Sequence, residues 1–191
     1  MSTGHLVVIS GPSGVGKSTI IHKVREAIPS LRFSVSATTR PIRPNETDGA
    51  DYYFVTKEAF EAMLANDELL EHNFYVGNYY GTPVRPIRDG LAEGENILLD
   101  IDPNGAKNVR KRFPDATLIY ISPPSMEELA RRLRTRGDTA EELILKRLER
   151  ARWEESQIGF YDKQVINDDA DAAAGQIIEL LKSRFGETVE V

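Results

Sequence analysis

The chain has 191 residues, of which 40% are hydrophobic and 28% charged, with a formal net charge of −6 and no cysteine. A chain of this length is one generous domain, and its composition is that of a globular protein rather than of a disordered, fibrous or membrane protein. The acidic balance argues against a broad nucleic-acid-binding face, and without cysteine there is neither a disulfide nor a thiolate metal site.

The first predicted element is a buried strand at residues 5–10, HLVVIS. Its apolar run is far shorter than the roughly 20 residues that cross a bilayer. Residues 1–5 lack the basic region and the apolar core of a signal peptide. We therefore expect a cytoplasmic protein without a membrane partner.

A glycine-rich turn follows this strand and leads into a helix predicted at 17–28. Residues 11–18, GPSGVGKS, fit the pattern G-x-x-x-x-G-K-[ST] between a strand and a helix, which is the context that the pattern requires. The glycines allow successive backbone N–H groups to point at an anion, while Lys17 is expected to reach the β- and γ-phosphates and Ser18 to bind Mg²⁺. The motif therefore predicts a site for the phosphates of a nucleoside triphosphate, with Mg²⁺ as cofactor. Its residues are Gly11, Pro12, Ser13, Gly14, Val15, Gly16, Lys17, Ser18 and Thr19, and the resemblance described below implies that the nucleotide is ATP.

The middle of the chain breaks this alternation of strand and helix. A loop marked by Pro41, Pro44 and Gly49 opens a region of short predicted strands. We interpret residues 34 to about 90 as a small, mostly antiparallel lobe inserted into an α/β core. Its predicted elements are strands at 33–37, 51–55, 70–76 and 78–81, a helix at 57–66, and a second helix from about Pro83 to about 93.

Buried strands return after the inserted lobe. Runs of β-branched and aliphatic residues alternate with segments of helical period, and Ser125 with Glu128, like Thr139 with Glu142, has capping-box spacing. This alternation predicts a doubly wound parallel sheet flanked by helices, as in P-loop NTPases. The predicted strands are 95–101, 116–122 and 163–167, and the predicted helices are 126–135, 140–157 and about 170–185.

A phosphate-binding turn does not by itself choose between a kinase and a switch driven by a nucleoside triphosphate. The sequence DPNG at 102–105 matches the D-x-x-G pattern of GTPases, but no N-K-x-D motif follows it, which argues against a GTPase switch. Arginines outnumber lysines 16 to 8 and cluster at 40–43, 85–88 and 131–136. A guanidinium group suits bidentate phosphate binding, although most of these arginines taken singly are solvated surface residues.

The inserted lobe carries side chains suited to a phosphorylated aromatic ligand. Arg40 and Arg43 lie on one proline-stiffened loop and are expected to converge on a phosphate, with Tyr52 and Tyr80 as phenolic donors. Taken singly, a tyrosine in such a lobe is more often a core residue than a ligand contact.

Two carboxylates, Glu71 and Asp100, suit the Watson–Crick edge of guanine, which presents a ring N–H and an amino group. Adenine presents an acceptor at the corresponding ring nitrogen, so a buried carboxylate would reject it by leaving polar groups unpaired. Ser36 or Thr82 is then available to donate a hydrogen bond to the guanine carbonyl oxygen. The alternative interpretation of Glu71 is a half-buried strand residue paired with an arginine.

Taken in order, these segments resemble those of the guanylate kinases, which transfer the γ-phosphoryl group of ATP to GMP. The resemblance extends over nearly all of residues 5–185. Several matching segments in the right order are more specific than any one of them. The segments are SGPSGVGKST, SVSATTRPIRPNETDGADYYFV, LLEHNFYVGNYYGTP, LLDIDPNGA, ISPPS, RLRTRG and INDD.

The resemblance implies a role for each matching residue. The expected catalytic residues are Lys17 and three arginines of a mobile lid that closes over ATP. These arginines are Arg132, Arg136 and Arg147. Asp102 falls where a carboxylate near the magnesium is expected. The implied GMP site consists of Ser36, Glu71, Thr82 and Asp100 at the guanine, Arg40, Arg43, Tyr52 and Tyr80 at the phosphate, and Glu46 elsewhere in the lobe.

The resemblance also implies the organisation of the chain. We expect one guanylate kinase-like domain over residues 1–191, with a core at 1–33 and 91–191, a GMP-binding lobe at about 34–90 and a lid at about 131–150. The expected partners are ATP and GMP or dGMP, with no nucleic acid and no membrane. The sequence leaves monomer and homo-oligomer open.

Two positions depart from the usual pattern of the family. Pro103 and Asn104 precede Gly105 where a glutamine is more usual, and Asp138 stands where a threonine is common. Two alternative functions are compatible with these segments: a non-catalytic guanylate kinase-like module that holds a phosphorylated partner, and a P-loop kinase of another phosphorylated metabolite. The intact Lys17 argues against the first, and the second would not need Glu71 and Asp100.

Overall fold

The computed structural model describes residues 4–75, 77–135 and 140–186. These residues form nine strands and seven α-helices, with one 3₁₀ turn at Ile158–Phe160. In chain order the elements are β1 (Leu6–Ser10), α1 (Lys17–Ala27), β2 (Leu31–Phe33), β3 (Ser36–Thr38), β4 (Tyr52–Phe54), α2 (Lys57–Ala65), β5 (Leu69–Tyr75), β6 (Asn78–Pro83), α3 (Val84–Ala92), β7 (Asn96–Asp100), α4 (Pro103–Arg112), β8 (Thr117–Ser122), α5 (Met126–Thr135), α6 (Glu141–Glu155), β9 (Lys163–Ile166) and α7 (Ala170–Phe185).

The main sheet has five parallel strands in the order β2-β7-β1-β8-β9. Its central strand β1 is buried along its whole length because both faces of the sheet are covered. Val7 and Ile9 pack on one side with residues of α1 and α7, and Leu6 and Val8 pack on the other with residues of α3 and α4. The predicted α/β fold with a parallel sheet core is therefore confirmed.

One predicted strand, at 33–37, is wrong because this stretch crosses from one sheet to the other. Its first residue ends β2, which pairs with β7 in the main sheet, and residues 36–38 form β3 of a second sheet. The Ser34 N–H still donates to the Leu98 carbonyl of β7, over 2.9 Å, before the chain leaves. The alternation of residues predicts that a segment is extended but not which strand it pairs with. The sequence pattern therefore predicted one strand where the structure has the end of β2 and the start of β3.

The predicted helices do not include α4. This helix begins with Pro103 at its first position, where the missing N–H is not needed, and Asp102 caps it by accepting from the Gly105 N–H. It ends in three basic residues, which favour a helix C-terminus. The departure at Pro103 and Asn104 is therefore compatible with a regular helix start.

The second sheet has four strands in the order β4-β3-β6-β5, with two antiparallel pairings and one parallel pairing. Helix α2 covers one face of it, where Phe60 packs with Ala37 and Leu69. The opposite face carries the polar residues of the strands. We refer to this second sheet with α2 as the lobe.

Helices α5 and α6 pack against each other around their own apolar cluster, which includes Leu133 and Leu148. At the start of α5, Ser125 Oγ accepts from the Glu128 N–H as the capping spacing predicts. The predicted cap at Thr139 lies outside the described residues. None of the helices in the described part of the chain combines the length and the apolarity that a membrane span requires.

Candidate active site

The glycine-rich turn joins the carboxyl end of β1 to the first residue of α1. Gly14 and Gly16 have φ angles of +87° and +96°, which side-chain-bearing residues rarely adopt. The turn and the start of α1 line a cleft of about 450 Å³, which we call the P-loop cleft. Its lining is Gly11, Pro12, Ser13, Gly14, Gly16, Lys17, Ser18, Thr19 and Asp102.

One predicted member of this turn faces the core instead of the cleft. The Val15 side chain is fully buried in the main core, and its carbonyl accepts from Asn167 Nδ2 over 2.6 Å and from Arg132 Nη1 over 3.3 Å. Arg132 also donates to the Asn167 carbonyl and to Glu128. These bonds hold the turn from its outer side, and the two arginines beside Glu128 lower the pKa of that carboxyl to about 2.

Lys17 forms an ion pair with Asp100, with 2.5 Å between Nζ and Oδ1. The two residues meet because Asp100 ends β7, which lies beside β1 in parallel register with Ile9 opposite Asp100. About a quarter of each side chain is exposed, so both stay accessible to a ligand. The carboxyl ends of neighbouring parallel strands thus bring the lysine predicted to bind phosphate next to a carboxylate predicted to read guanine.

The lobe gathers most of the predicted GMP residues on one face. In a sheet, residues directly opposite each other on neighbouring strands point to the same side. The pairs Ser36–Tyr52, Thr38–Tyr80, Asn73–Tyr80 and Glu71–Thr82 are such opposites. The strand pairing therefore places Ser36, Tyr52, Glu71, Asn73, Tyr80 and Thr82 together on the face that α2 leaves uncovered.

A register shift between Leu69 and Glu71 makes this arrangement possible. In a regular strand these two residues would share a face. Here Leu69 packs in the lobe core with Phe60, whereas Glu71 lies opposite Thr82 on the polar face. The close approach of α4 depends on Gly105, since a Cβ there would lie 3.0 Å from Glu71 Cγ.

Glu71 is a buried carboxyl group, with 9% of its surface exposed. Thr82 Oγ1 donates to its Oε1 over 2.6 Å. Burial raises the pKa of Glu71 to about 7, the bond from Thr82 opposes this rise, and the nearby Asp102 charge adds to it. The alternative interpretation, in which Glu71 pairs with an arginine, is wrong because the side chain that bonds to Glu71 is Thr82. A ligand that donates to this carboxyl would favour the ionised form near neutral pH.

Arg40 is fixed beside the same face by a bidentate ion pair with Glu46, with both N···O distances 2.8 Å. Glu46 also accepts from the Arg43 N–H, and the Arg40 guanidinium holds the pKa of Glu46 at about 2. The Arg40 guanidinium carbon lies 5.4 Å from the centre of the Tyr52 ring, and the Tyr52 and Tyr80 rings form an edge-to-face pair. Burial raises the pKa of the Tyr52 hydroxyl, which keeps it a hydrogen-bond donor. Glu46 therefore orients Arg40, and the Arg43 side chain is exposed on the same loop.

Asp102 is held by three parts of the molecule. Its Oδ1 accepts from the Gly105 N–H, and its Oδ2 accepts from Asn73 Nδ2 of β5 over 3.1 Å and from Arg150 Nη2 of α6 over 3.0 Å. Ser18 lines the same P-loop cleft. A hydroxyl and a carboxylate are hard oxygen donors that suit Mg²⁺, which usually takes only one or two protein ligands beside phosphates and water. Among the described residues there is no cluster of three or more His, Cys, Asp or Glu side chains able to hold a metal ion.

A second cleft, of about 420 Å³, lies between the lobe and α6, and we call it the lid cleft. Arg147 lines it beside Pro12 and Phe74. Its Nε is buried and has no hydrogen-bond partner within the described ranges, nor does Arg147 pair there with a carboxylate. Arg136, the remaining predicted lid arginine, lies outside the described residues, as does Asp138.

The structure thus places Asp100 beside Lys17, and Asn73 of the polar lobe face beside Asp102 at the P-loop cleft. Arg147 lines the adjoining lid cleft, which shares Pro12, Ser13 and Asp102 with the P-loop cleft. It also adds residues that the sequence analysis missed, chiefly Asn73, Arg150 and Glu154. On α6 a helical stripe at spacings of four, three and four residues would have indicated the last two. The stripe is Leu143, Arg147, Arg150 and Glu154, all of which line the lid cleft.

Comparison with known proteins gives a consistent set of relatives. The family model described as guanylate kinase matches residues 3–184. The chain is 53% identical over 176 residues to a guanylate kinase of Gloeobacter violaceus, which covers 92% of this chain and 86% of the relative. It is 46% identical over 182 residues to a guanylate kinase of Carboxydothermus hydrogenoformans, covering 95% and 89%. The crystal structure of guanylate kinase from Anaplasma phagocytophilum superposes with a TM-score of 0.78 at 35% identity, covering 98% of this chain and 89% of that one.

Proposed function

The chain belongs to the guanylate kinase family and is an ATP:GMP phosphotransferase, and we propose that the P-loop cleft binds ATP while the polar face of the lobe binds GMP. One observation supports this division above the others. On the polar face of the lobe, Asn73 donates to Asp102, which lines the P-loop cleft with Lys17, and the charge of Asp102 helps to raise the pKa of the buried Glu71 carboxyl. The proposed base-reading group and the proposed phosphate-binding group therefore lie on either side of Asp102.

Guanine is read by Glu71 and Asp100 in this proposal. Ionised carboxyl groups accept the ring N–H and the amino group of guanine, whereas adenine would leave a buried carboxyl facing an acceptor. Thr82 orients Glu71 through the hydrogen bond that it donates, and Ser36 is available for the guanine carbonyl oxygen. Because both donors of the base are matched by fixed acceptors, selectivity follows from the geometry of the lobe face.

The GMP phosphate is held by Arg40, Arg43, Tyr52 and Tyr80. The guanidinium of Arg40 is already fixed by Glu46 and lies over the Tyr52 ring, so little side-chain entropy is lost when it binds a phosphate. The exposed Arg43 side chain is free to turn toward the same anion. The phosphate would thus lie at the end of the lobe face that is next to the loop of Arg40.

ATP binds with its phosphates at the glycine-rich turn and the N-terminus of α1, where backbone N–H groups and the helix dipole favour an anion. Lys17 then exchanges Asp100 for the β- and γ-phosphates. Ser18 and Asp102 would hold Mg²⁺, which when bound supplies charge neutralisation and orientation of the phosphates.

Phosphoryl transfer needs no general base in this site. The GMP phosphate has a second pKa of ~6 and is already mostly dianionic at neutral pH. One of its oxygens forms the new bond to the γ-phosphorus as the bond from that phosphorus to the β–γ bridging oxygen breaks, and the electron pair leaves with ADP. Lys17, Arg136 and Arg147 neutralise the charge of the transferred group. Arg132, which here donates to the Val15 and Asn167 carbonyls, would have to leave these partners on lid closure to join them. The protein therefore contributes alignment and positive charge.

Closure of the lobe at about 34–90 and of a lid at about 131–150 over a core at 1–33 and 91–191 would exclude water from this transfer. The lobe and the α5–α6 pair each have a separate apolar cluster, which supports their movement as units. Helix α3 falls within the lobe by that sequence boundary, but Val84 and Ile87 pack in the main core.

The direct test is a coupled assay of ADP formation with each nucleoside monophosphate in turn. GMP and dGMP should be phosphorylated, while AMP, CMP and UMP should raise ADP formation little above the rate without an acceptor. Controls without Mg²⁺ and without acceptor separate transfer from ATP hydrolysis. Equal rates with AMP and GMP would refute the roles of Glu71 and Asp100, and the absence of GDP would refute the function itself.

A further inference from the structure

Asp102 is the point at which the lobe, the core and α6 are tied together by one carboxylate. Its Oδ2 accepts from Asn73 of the lobe, 29 positions away in sequence, and from Arg150 of α6, 48 positions away. Its Oδ1 caps α4 of the core. Each of the parts that must move during closure therefore has a contact to the same side chain.

Arg150 is well fixed in this arrangement. Its Nε donates to Glu154 Oε1 over 2.8 Å, and its guanidinium lies 4.2 Å from the centre of the Trp153 ring. Glu154 is a buried residue, and burial raises its pKa while Arg150 opposes the rise. A guanidinium shared between two carboxylates and one aromatic ring loses little further entropy on contacting Asp102.

The contact with Asp102 competes with the proposed metal. Asp102 lines the P-loop cleft with Ser18, and a Mg²⁺ ion near its oxygens would lie within a few ångströms of the Arg150 guanidinium. Two cations at this separation repel each other, and Oδ2 has two donors already. Either Arg150 or the metal can therefore be the main partner of Oδ2.

We propose that Arg150 is a positioning residue which, in the substrate-free protein, holds Asp102 and ties α6 to the core, and which leaves Asp102 when ATP enters with Mg²⁺. This inference rests on the proposed function, because it uses the metal role of Asp102. Arg150 is not a catalytic residue in this account, since it contacts Asp102 and Glu154 and acts through the first of them.

The Arg150–Asp102 contact should weaken nucleotide binding. A contact made only in the substrate-free state lowers the free energy of that state alone, so it opposes nucleotide binding by its own strength. Removing it should tighten the binding of the metal–nucleotide complex by about two- to fivefold, the range that partly exposed ion pairs reach. The affinity for ATP without metal should change less, because no Mg²⁺ then competes with Arg150 for Asp102.

The variant that isolates the contact is Arg150→Met, which keeps an unbranched side chain next to Trp153 and removes the charge and the hydrogen bonds. Its matched control is Lys146→Met, which removes a positive charge from the same lid cleft but has Glu142 as its ion-pair partner. Arg150→Ala serves as the second variant if the methionine form does not fold, as judged by circular dichroism. In an Asp102→Asn background, Arg150→Met should have no further effect on affinity if Arg150 acts through Asp102.

The measurement is calorimetric titration of each variant with a non-hydrolysable ATP analogue, once with Mg²⁺ and once with EDTA. We expect Arg150→Met to bind the magnesium complex about two- to fivefold more tightly and Lys146→Met to bind as the wild type does. Backbone amides of α6 should exchange hydrogen faster in substrate-free Arg150→Met than in the wild type. Unchanged or weaker magnesium-dependent binding by Arg150→Met, or equal tightening by Lys146→Met, would overturn the inference. GDP formation by the wild type is scored separately, so that failure of the proposed function is distinguished from failure of this contact.

Discussion

In the Lys17→Ala variant we expect the turnover number for GMP phosphorylation to fall by ~10³ or more, with the fold retained. Lys17 is the first residue of α1, and its amine is the positive charge at the mouth of the P-loop cleft. Without it, no fixed ammonium neutralises the oxygens of the γ-phosphoryl group as they take up charge. The Asp100 carboxylate, which loses its partner, is partly exposed and is solvated by water instead.

The measurement is single-turnover formation of GDP, since it separates the chemical step from product release. Lys57→Ala provides the control, because Lys57 is an exposed lysine of the lobe that pairs only weakly with Glu61. Circular dichroism of both variants checks the fold. Retention of more than a tenth of the wild-type single-turnover rate by Lys17→Ala would contradict the role given to this residue.

The Glu71→Gln variant should lose GMP selectivity with little change in ATP binding. Glutamine keeps the shape of the side chain and the acceptor for Thr82, but its amide N–H groups meet a base edge that consists of donors. We expect kcat/KM for GMP to fall by about 10²- to 10⁴-fold, the range for a buried polar group left without its partner. Glu68→Gln is the matched control, since Glu68 is an exposed carboxyl of the same lobe.

The Glu71→Gln variant should also change how KM for GMP depends on pH. Because the pKa of Glu71 is raised to about 7, the wild type should show a constant KM for GMP above this pH and a KM that rises about tenfold per unit below it. The sign follows from the need for the ionised form, which accepts both donors of guanine. Glu71→Gln should lack this dependence and keep only that of the GMP phosphate itself. A KM profile identical in wild type and variant would remove Glu71 from the base site.

The features that are local in sequence were predictable. The glycine-rich turn, the helix after it and the cap at Ser125 depend on neighbouring residues, and their positions agree with prediction to within about one residue. Strands β2 and β3 were not predictable as two elements, because pairing partners decide where one sheet ends and the other begins. The alternation of residues contains no information on those partners.

The placement of Glu71 shows the same limit in the site. Its residue type suggested a base-reading carboxyl, but strict alternation would have put Glu71 and Leu69 on one face. The register shift between them separates the two, and only the strand pairing reveals it. The contacts of Asp102 with Asn73 and Arg150 join distant parts of the chain and could not be derived from spacing. The roles of the individual residues remain predictions of the guanylate kinase resemblance and of this geometry.

A crystal structure of the protein soaked with GMP would test most directly whether two acidic side chains from separate strands select the purine. We expect the guanine ring N–H and amino group within about 3 Å of carboxylate oxygens of Glu71 and Asp100, and the phosphate within reach of Arg40. GMP bound on the lobe face with neither carboxylate at its base edge would contradict the account.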